Sequence, residues 1–386
     1  MTLRPTWMEV RLDNIRANYR AIRDHILAAR QEGAPVPRVF SVIKANAYNL
    51  GALPVAWALR REGADFFIVA TADEAVELRR GGITVPVLVL GASPYDAAEE
   101  YVRQGIRASI TDMEMARAMS AASEKIGKKA IVHLKVDTGM GRIGFSPEEV
   151  VEKAARVASL PGIVCEGIFT HFAAADEEDL AYTEKQHDAF LAALEALEKR
   201  GIHIPLRHCC NSGGTLSYPE WAMDGVRAGQ ILAGMYPTPE VPRSIPILPG
   251  FSFRTRIGAL RTLPAGKTVS YGMTYTTTSE ERMAVLPVGY ADGFARNLSN
   301  RADVLIRGVR CPVAGRICMD QCMVNVSALP EAAVGDEAVL IGRQGNEEIT
   351  IYEYAEKMDT IVAAIGAIIS PRVPRVYRDD ELGGEN

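Results

Sequence analysis

Short apolar runs recur between Val39 and Leu232, and amphipathic segments separate them. The runs end in VIKANAY, IVAT, LVLGA, SIT, HLKVDTG, FTHF, HCCNS and VRAGQIL. Runs of this length, bounded by turn residues, predict strands; the longer segments between them carry a period near 3.6 and predict helices. Several helix starts are legible. TADEAVELRRGG opens on Thr71 and an acidic first turn and closes on glycine, while Ser93 with Pro94 and Ser146 with Pro147 read as cap pairs. DLAYTEKQHDAFLAALEALEKRG reads as the longest helix. Strands alternating with helices imply a parallel sheet, and eight such units imply closure into a (β/α)8 TIM barrel whose working residues sit at the carboxyl ends of the strands.

The stretch PTWMEVRL alternates as a strand but precedes the barrel, and LDNIRANYRAIRDHILAARQ after it reads as a helix with Asp13 or Asn14 as N-cap. The rhythm breaks after Leu232. GMYPTPEVPRSIPILPG carries no helix signal and reads as a linker. Beyond it come FSFRTRIGALRTL, TVSYGMTYTT, RMAVLPVG, ADVLIRG, VRCPVAGRI, MVNVSAL, EAVLIG and EEITI, then a helix near Ile351–Met358. The expected organisation is a barrel over residues 12–240 and a mostly β domain over 241–386, joined by the strand in 1–11.

Composition removes some classes. A net charge of −5 argues against a nucleic-acid partner. No apolar stretch approaches the roughly 20 residues that span a bilayer, and MTLRPTWMEV lacks the apolar core of a signal peptide. The 6 cysteines form no CxxC pair and read as reduced thiols of a cytoplasmic protein. Cys318 and Cys322 flank Asp320 without a matching set of ligands, so no metal is expected.

Lys44 carries the first chemical expectation. It leaves the apolar run VFSVIK at a barrel mouth, where desolvation favours the neutral, nucleophilic amine. Lysines so placed form Schiff bases, and pyridoxal 5'-phosphate is the obvious aldehyde. Barrels hold phosphate on the loops after their last two strands. Here those loops carry Asn211, Ser212, Gly213 and Gly214, then Arg227, Gly229 and Gln230. Arg227, beside a pyridine nitrogen, disfavours protonation of that nitrogen and weakens the ring as an electron sink. His171 is read either as its orienting partner or as a plain core histidine. In HLKVDTGMGRIG, Arg142 is read as a carboxylate clamp or as an ion-pair partner of Asp137, with Lys135 nearby. VSYGMTY places Tyr271 on a strand, and GRICMDQ contributes Arg316, Met319 and Asp320 without a role of their own.

Taken together, VIKANAY, HLKVDTGMGRIG, FTHFAAADE, HCCNS, VRAGQ, VSYGMTY, LPVGYADGF, GRICMDQ and RVPRVY resemble the alanine racemase family in order over nearly the whole chain. The resemblance implies a pyridoxal-phosphate-dependent amino acid racemase, a homodimer with shared sites, that supplies D-amino acid for the cell wall. It implies that Lys44 holds the cofactor and serves as acid/base on one face, with Tyr271 of a second subunit on the other. Arg227 pairs with the pyridine nitrogen, supported by His171; Tyr48, Asn211, Ser212, Gly229 and Gln230 hold the rest of the cofactor. Arg142 and the backbone of Met319 meet the substrate carboxylate. Lys135 matches a lysine carbamylated in some relatives. Asp176, Tyr290, Arg296, Arg316 and Asp320 match residues around the access channel.

Departures from the family pattern are Asn49 and Leu50 in AYNLG, Gln230 and Ala233 in VRAGQILAG, and Ala363, read as replacing a tyrosine that narrows the pocket. The last suggests, as an alternative, a racemase for serine, lysine or other larger side chains. Two rivals on the same barrel fit less well. A non-catalytic cofactor carrier lacks the β domain, and a decarboxylase places an acid, not an arginine, at the pyridine nitrogen.

Overall fold

The computed structural model describes residues 4–380. The chain forms two compact units. One is Asn14–Leu248; the other joins the N-terminal segment through Asp13 to the chain from Pro249 onward.

The first unit is an eight-stranded parallel barrel with helices between its strands. After β1 (Trp7–Arg11), which belongs to the other unit, the barrel strands are β2 (Arg38–Val42), β3 (Phe67–Val69), β4 (Val87–Val89), β5 (Arg107–Ile110), β6 (Ala130–Lys135), β7 (Ile163–Phe169), β8 (Leu206–His208) and β9 (Gly225–Ala228). They pair in sequence order, and β9 returns to pair with β2. Backbone bonds from Asp224 N to Arg207 O (3.1 Å) and from Arg227 N to Cys210 O (2.9 Å) draw the last two strands together. The strands are short and apolar because they are covered on both faces; Phe40, Val42, Phe66, Ile68 and Leu88 pack as one buried cluster.

The β6–β7 ladder contains one irregularity. Val132 pairs with Cys165, but His133 pairs with Gly167, so Glu166 is the extra residue of a bulge. Bulges re-aim side chains.

Thr71 caps its helix as the sequence indicates, accepting from Glu74 N while the Glu74 carboxylate accepts from Thr71 N. Ser93 does not cap. Its hydroxyl pairs with Tyr101 Oη at 2.6 Å, and the helix Ala98–Gln104 is entered through a 3-10 turn over Tyr95–Ala97. Ser146 Oγ accepts from Glu149 N at 3.3 Å ahead of the helix Val150–Ala158. Asp13 is not an N-cap either. The first helix, Leu12–Ala28, runs straight out of β1, and Asp13 lies in its first turn, bonded to Arg11.

The second unit is mostly β. Its large sheet has the order β16 (Val309–Pro312), β15 (Asp303–Ile306), β18 (Glu337–Gln344), β10 (Phe251–Arg256), β1, β20 (Arg375–Arg378), with β19 (Glu347–Ile349) on β18. The N-terminal strand therefore pairs antiparallel with β10 and parallel with β20. A smaller sheet holds β11 (Ala259–Leu263), β14 (Glu281–Leu286) and β17 (Cys322–Asn325). FSFRTRIGALRTL is thus two strands in two sheets. TVSYGMTYTT is not one strand: β12 (Thr268–Val269) and β13 (Tyr275–Thr276) pair with each other, and Tyr271 lies in the 3-10 turn Tyr271–Met273 between them. Positive φ at Ser270 (66°), Gly272 (68°) and Met273 (52°) turns the backbone there. The helix Ile351–Met358 is capped by Thr350, and a second short helix, Val362–Ile368, follows. Among the described residues, no helix is long and apolar enough to cross a membrane.

Candidate active site

A cavity of about 130 Å³ opens at the carboxyl ends of the barrel strands. Its walls bring together Lys44, Tyr48, His171, Asp176, Asn211, Ser212, Arg227, Gly229 and Gln230, each on a strand end or in the loop that follows.

Lys44 lies one residue beyond β2, after Ile43, and begins an unusual turn. Ala45, Asn46, Ala47, Tyr48 and Asn49 all have positive φ, between 51° and 71°. None is glycine, and a left-handed conformation costs an L-residue roughly 1–2 kcal/mol. Such strain persists only where the surroundings over-determine it. Here Ala47 N bonds Ile43 O (2.8 Å), Asn49 N bonds Ala45 O (2.7 Å), and Asn46 Oδ1 accepts from Ala52 N (2.7 Å). Glu74 adds an outside brace. One carboxylate oxygen accepts Ala45 N, and the other accepts Ala70 N and Thr71 N. The amine of Lys44 is held below its ordinary value by burial first and by Arg142 second, with Glu74 opposing. Asn49 suits its place, since asparagine tolerates the left-handed region better than most residues.

Arg227 lies fully inside the barrel. Nη1 donates to His208 Nδ1 (3.1 Å) and His208 O (3.0 Å); Nη2 donates to Thr170 O and Cys209 O (both 2.7 Å) and to His171 Nδ1 (3.2 Å). Nε is buried and has no partner. An unpaired buried donor is costly, so a donor left free on a cavity-lining side chain marks a place for an acceptor. Burial pushes the guanidinium down to about 10, which leaves it protonated at neutral pH. Burial, then Arg227, holds His171 well below its ordinary value and therefore neutral.

Two glycines clear space beside these groups. A Cβ on Gly229 would sit 2.2 Å from Tyr48 Oη, and one on Gly213 would sit 2.7 Å from Ala175 O. Ser212 Oγ accepts from Gly229 N (3.2 Å), which joins the loops after β8 and β9. Asn211 Oδ1 accepts from Gly214 N (2.9 Å) and its Nδ2 donates to Phe172 O (3.3 Å). The amide oxygen of Gln230 is buried and has no partner. The Asp176 carboxyl is pushed up by burial.

Lys135 is buried at the end of β6, with Nζ donating to Val136 O (2.6 Å); burial brings its amine down to about 8. Arg142 does not form the ion pair with Asp137. The Asp137 carboxylate instead accepts the backbone N–H groups of Gly139 (3.1 Å), Gly141 (3.1 Å) and Arg142 (3.0 Å), so it folds the DTGMGR loop and leaves the guanidinium exposed.

The remaining candidates belong to the second unit. Tyr271 is 68% exposed and Met319 52% exposed. The Tyr271 turn is locked to the GRICMDQ segment: Ser270 Oγ donates to Arg316 O, and a Cβ on Gly272 would meet Arg316 Nη1 at 2.6 Å. Tyr290 N and Ala291 N bond Cys318 O (3.1 Å) and Met319 O (3.0 Å), so Tyr290 and Met319 share one loop pair. Asp320 pairs with Arg372 (2.7 Å), Arg296 is exposed in a 3-10 turn, and Ala363 is half-buried in the helix Val362–Ile368.

Four residues of this neighbourhood carried no sequence signal of function. Glu74 was legible only as half of a capping box. His208, His133 and Glu166 alternate with apolar residues on barrel strands, a pattern that says inward and nothing more.

The fold and cavity define a barrel enzyme whose site fits pyridoxal phosphate. Arg227 Nε offers a donor to a pyridine nitrogen, Lys44 is a desolvated amine, and Tyr48, Ser212 and the cleared backbone at Gly229 surround space for a phosphate. Residues 10–237 match the family model for the alanine racemase N-terminal domain, and residues 251–377 match that for its C-terminal domain. The chain belongs to the alanine racemase family, whose members are pyridoxal-phosphate-dependent isomerases. It is 46% identical over 383 residues to alanine racemase of Symbiobacterium thermophilum, covering 99% of this chain and 98% of that one. Its structure is similar to alanine racemase of Clostridium difficile 630, with a TM-score of 0.92, 38% identity, and coverage of 98% and 97%. A histidine racemase from Leuconostoc mesenteroides shares the fold at TM-score 0.88 and 27% identity, with coverage of 98% and 99%.

Proposed function

We propose that this chain interconverts L- and D-alanine with pyridoxal 5'-phosphate held in the barrel cavity. The carrying observation is the buried Arg227 with an unpartnered Nε, lining the same cavity as the desolvated Lys44. The cofactor, when bound, supplies a carbonyl that condenses with amines and a conjugated ring that accepts the electron pair left at a deprotonated α-carbon. Everything else falls to the chain. Tyr48, Ser212, Gly229 and Gln230 would hold the phosphate, with Asn211 shaping the loop that carries Ser212. Arg227 Nε would donate to the pyridine nitrogen, and the guanidinium charge would oppose protonation there.

Stereoinversion requires two bases on opposed faces. Lys44 Nζ, pushed toward the neutral form by burial and then by Arg142, takes or returns the α-proton on one face. Tyr271 Oη from a second copy of the chain serves the other. Its exposure supports this reading, because a base open to bulk solvent gains its environment only when another surface covers it. Arg142 and the Met319 backbone of that second copy receive the substrate carboxylate. The exposed loop carrying Tyr290 and Met319, with Arg296, Arg316, Asp320 and Asp176, forms the access path. Lys135, with an amine near 8, has a neutral fraction at physiological pH able to add CO2 and release a proton, which places a carbamate beside Arg142. The reading carries with it a cytoplasmic homodimer that supplies D-alanine for the cell wall.

Ala363 lies on a helix of the β unit, the unit that also carries Tyr271 and Met319, and the small side chain there is the reason to try larger substrates. The test is racemisation of L-alanine by purified, cofactor-loaded protein beside L-serine, L-lysine and L-arginine. Alanine is expected to turn over fastest. Absence of alanine racemisation, or a preferred larger substrate, contradicts the proposal.

A further inference from the structure

Among the described residues, Arg227 is a buried cation with no carboxylate of its own. The nearest one in its hydrogen-bond network lies two imidazoles away. Arg227 Nη1 meets His208 Nδ1 (3.1 Å), His208 Nε2 meets His133 Nδ1 (3.0 Å), and His133 Nε2 meets Glu166 Oε2 (3.1 Å). Arg107 closes the chain with two bonds to the Glu166 carboxylate, both 3.0 Å.

Both ends of this chain have a fixed sense. Arginine only donates, so His208 must turn a lone pair toward it. A carboxylate only accepts, so His133 must turn an N–H toward Glu166. The pair of neutral imidazoles between them then has one arrangement: both protons on Nε2, both lone pairs on Nδ1. The reversed arrangement puts two donors face to face at Arg227 and two acceptors face to face at Glu166. A proton added to either ring creates a donor–donor contact. Burial independently holds both rings neutral: His133 and His208 are fully buried, and both are displaced below their ordinary value.

The fold makes room for this chain at specific cost. The β6–β7 bulge falls on Glu166 itself. The next residue, Gly167, is glycine for packing: a Cβ there would lie 2.3 Å from His133 Nδ1. Phe169 stacks on His208 at 5.0 Å and lies 5.5 Å from the Arg227 guanidinium, and Phe40 meets His208 edge-on at 5.1 Å. Aromatic walls deny the imidazoles alternative partners.

We infer that Glu166 is a positioning residue for Arg227: it sets the polarity of the His133–His208 pair, so that His208 presents an acceptor that holds Nη1 and leaves Nε as the donor facing the cavity. Nη2 is taken by Thr170, Cys209 and His171, so the lone pair on His208 is the side-chain contact that decides how Nη1 is held. The polarity itself is a property of the protein alone. Its consequence for the cofactor rests on the reading of the site given above.

The test uses the full-length protein with 15N-labelled histidine, read by long-range 1H–15N correlation, without cofactor. His133 and His208 are expected as neutral Nε2–H tautomers from pH 6 to 8. An Nδ1–H tautomer or an imidazolium at either position overturns the inference, whatever the activity. Glu166→Gln is the second arm, since a side-chain amide can donate or accept. It is expected to give mixed tautomers and to weaken pyridoxal phosphate binding, read by spectrophotometric titration, about five- to tenfold, the worth of one hydrogen bond. Glu166→Asp is expected to restore the wild-type tautomers and most of the affinity. Unchanged tautomers together with unchanged affinity in Glu166→Gln overturn it. Should the glutamine variant fail to fold, the wild-type tautomers can still overturn the inference, and the tautomers of Glu166→Asp carry the second arm.

Discussion

Arg227 Nη2 lies 3.2 Å from His171 Nδ1, and that contact determines which nitrogen of His171 carries a proton. The arginine donates, so Nδ1 accepts and the proton sits on Nε2. Burial and the surrounding cations Arg227, Arg142, Lys135 and Lys44 keep the ring neutral. His171 thereby has an N–H to offer another group. His171→Leu is expected to lower kcat more than tenfold, because it removes a donor available to the acid/base machinery. Cofactor affinity should change little, since Nη2 keeps two carbonyl acceptors. Steady-state kinetics and cofactor titration check this; equal losses in both contradict it.

Gly229 and Tyr48 are matched in shape. A methyl at Gly229 would meet Tyr48 Oη at 2.2 Å and Cζ at 3.1 Å. Gly229→Ala is expected to displace the phenol and weaken cofactor binding at least tenfold, with a stability loss of about 1–3 kcal/mol from overpacking. Tyr48→Phe removes the atom in closest conflict. The double variant should be more stable than the sum of the single losses allows, and a strictly additive cycle would argue against the contact.

Glu74 performs two jobs with one carboxylate, capping its own helix and bracing the left-handed turn after Lys44. Glu74→Ala is expected to cost about 1–2 kcal/mol as a lost cap. It should also loosen the Lys44 turn, seen as faster amide exchange at Ala45–Asn49 and a lower kcat. Cap loss without any change at the turn would refute the second job.

Glu166 gives a pH signature. Burial alone would raise its carboxyl; hydrogen bonds from His133 and Arg107, with the Arg107 charge, bring it down from 4.5 to about 2. A depressed folded-state value contributes stability that is complete above about 4.5 and lost as pH falls toward 2. The stability gap between wild type and Glu166→Gln should therefore be flat above pH 5 and shrink below it, as denaturant midpoints at successive pH values will show. A gap constant down to pH 3 would contradict the paired carboxylate.

Much of the barrel was written in the sequence as periodicity. Strand ends at Lys44, His171, Ser212 and Arg227 follow from apolar runs that stop where chemistry begins. The β unit was less legible, because a turn and a strand use similar residues there. VSYGMTY reads as a strand, yet Ser270 and Met273 adopt positive φ and lift Tyr271 into a turn. Caps such as Ser93 failed where a tertiary partner, Tyr101, claimed the hydroxyl. His208, His133 and Glu166 were invisible because their meaning lies in contacts between strands distant in sequence. The register break that aims Glu166 has no signature in a single strand.

The central claim is a site completed by two copies of the chain, with Lys44 from one and Tyr271 from the other. The direct measurement is racemisation by a purified heterodimer of differently tagged Lys44→Ala and Tyr271→Phe subunits. Such a dimer has one intact composite site and should show about half the wild-type rate, while each parent homodimer is nearly inactive. A proven heterodimer as inactive as its parents would contradict the claim, because both residues would then have to come from one chain.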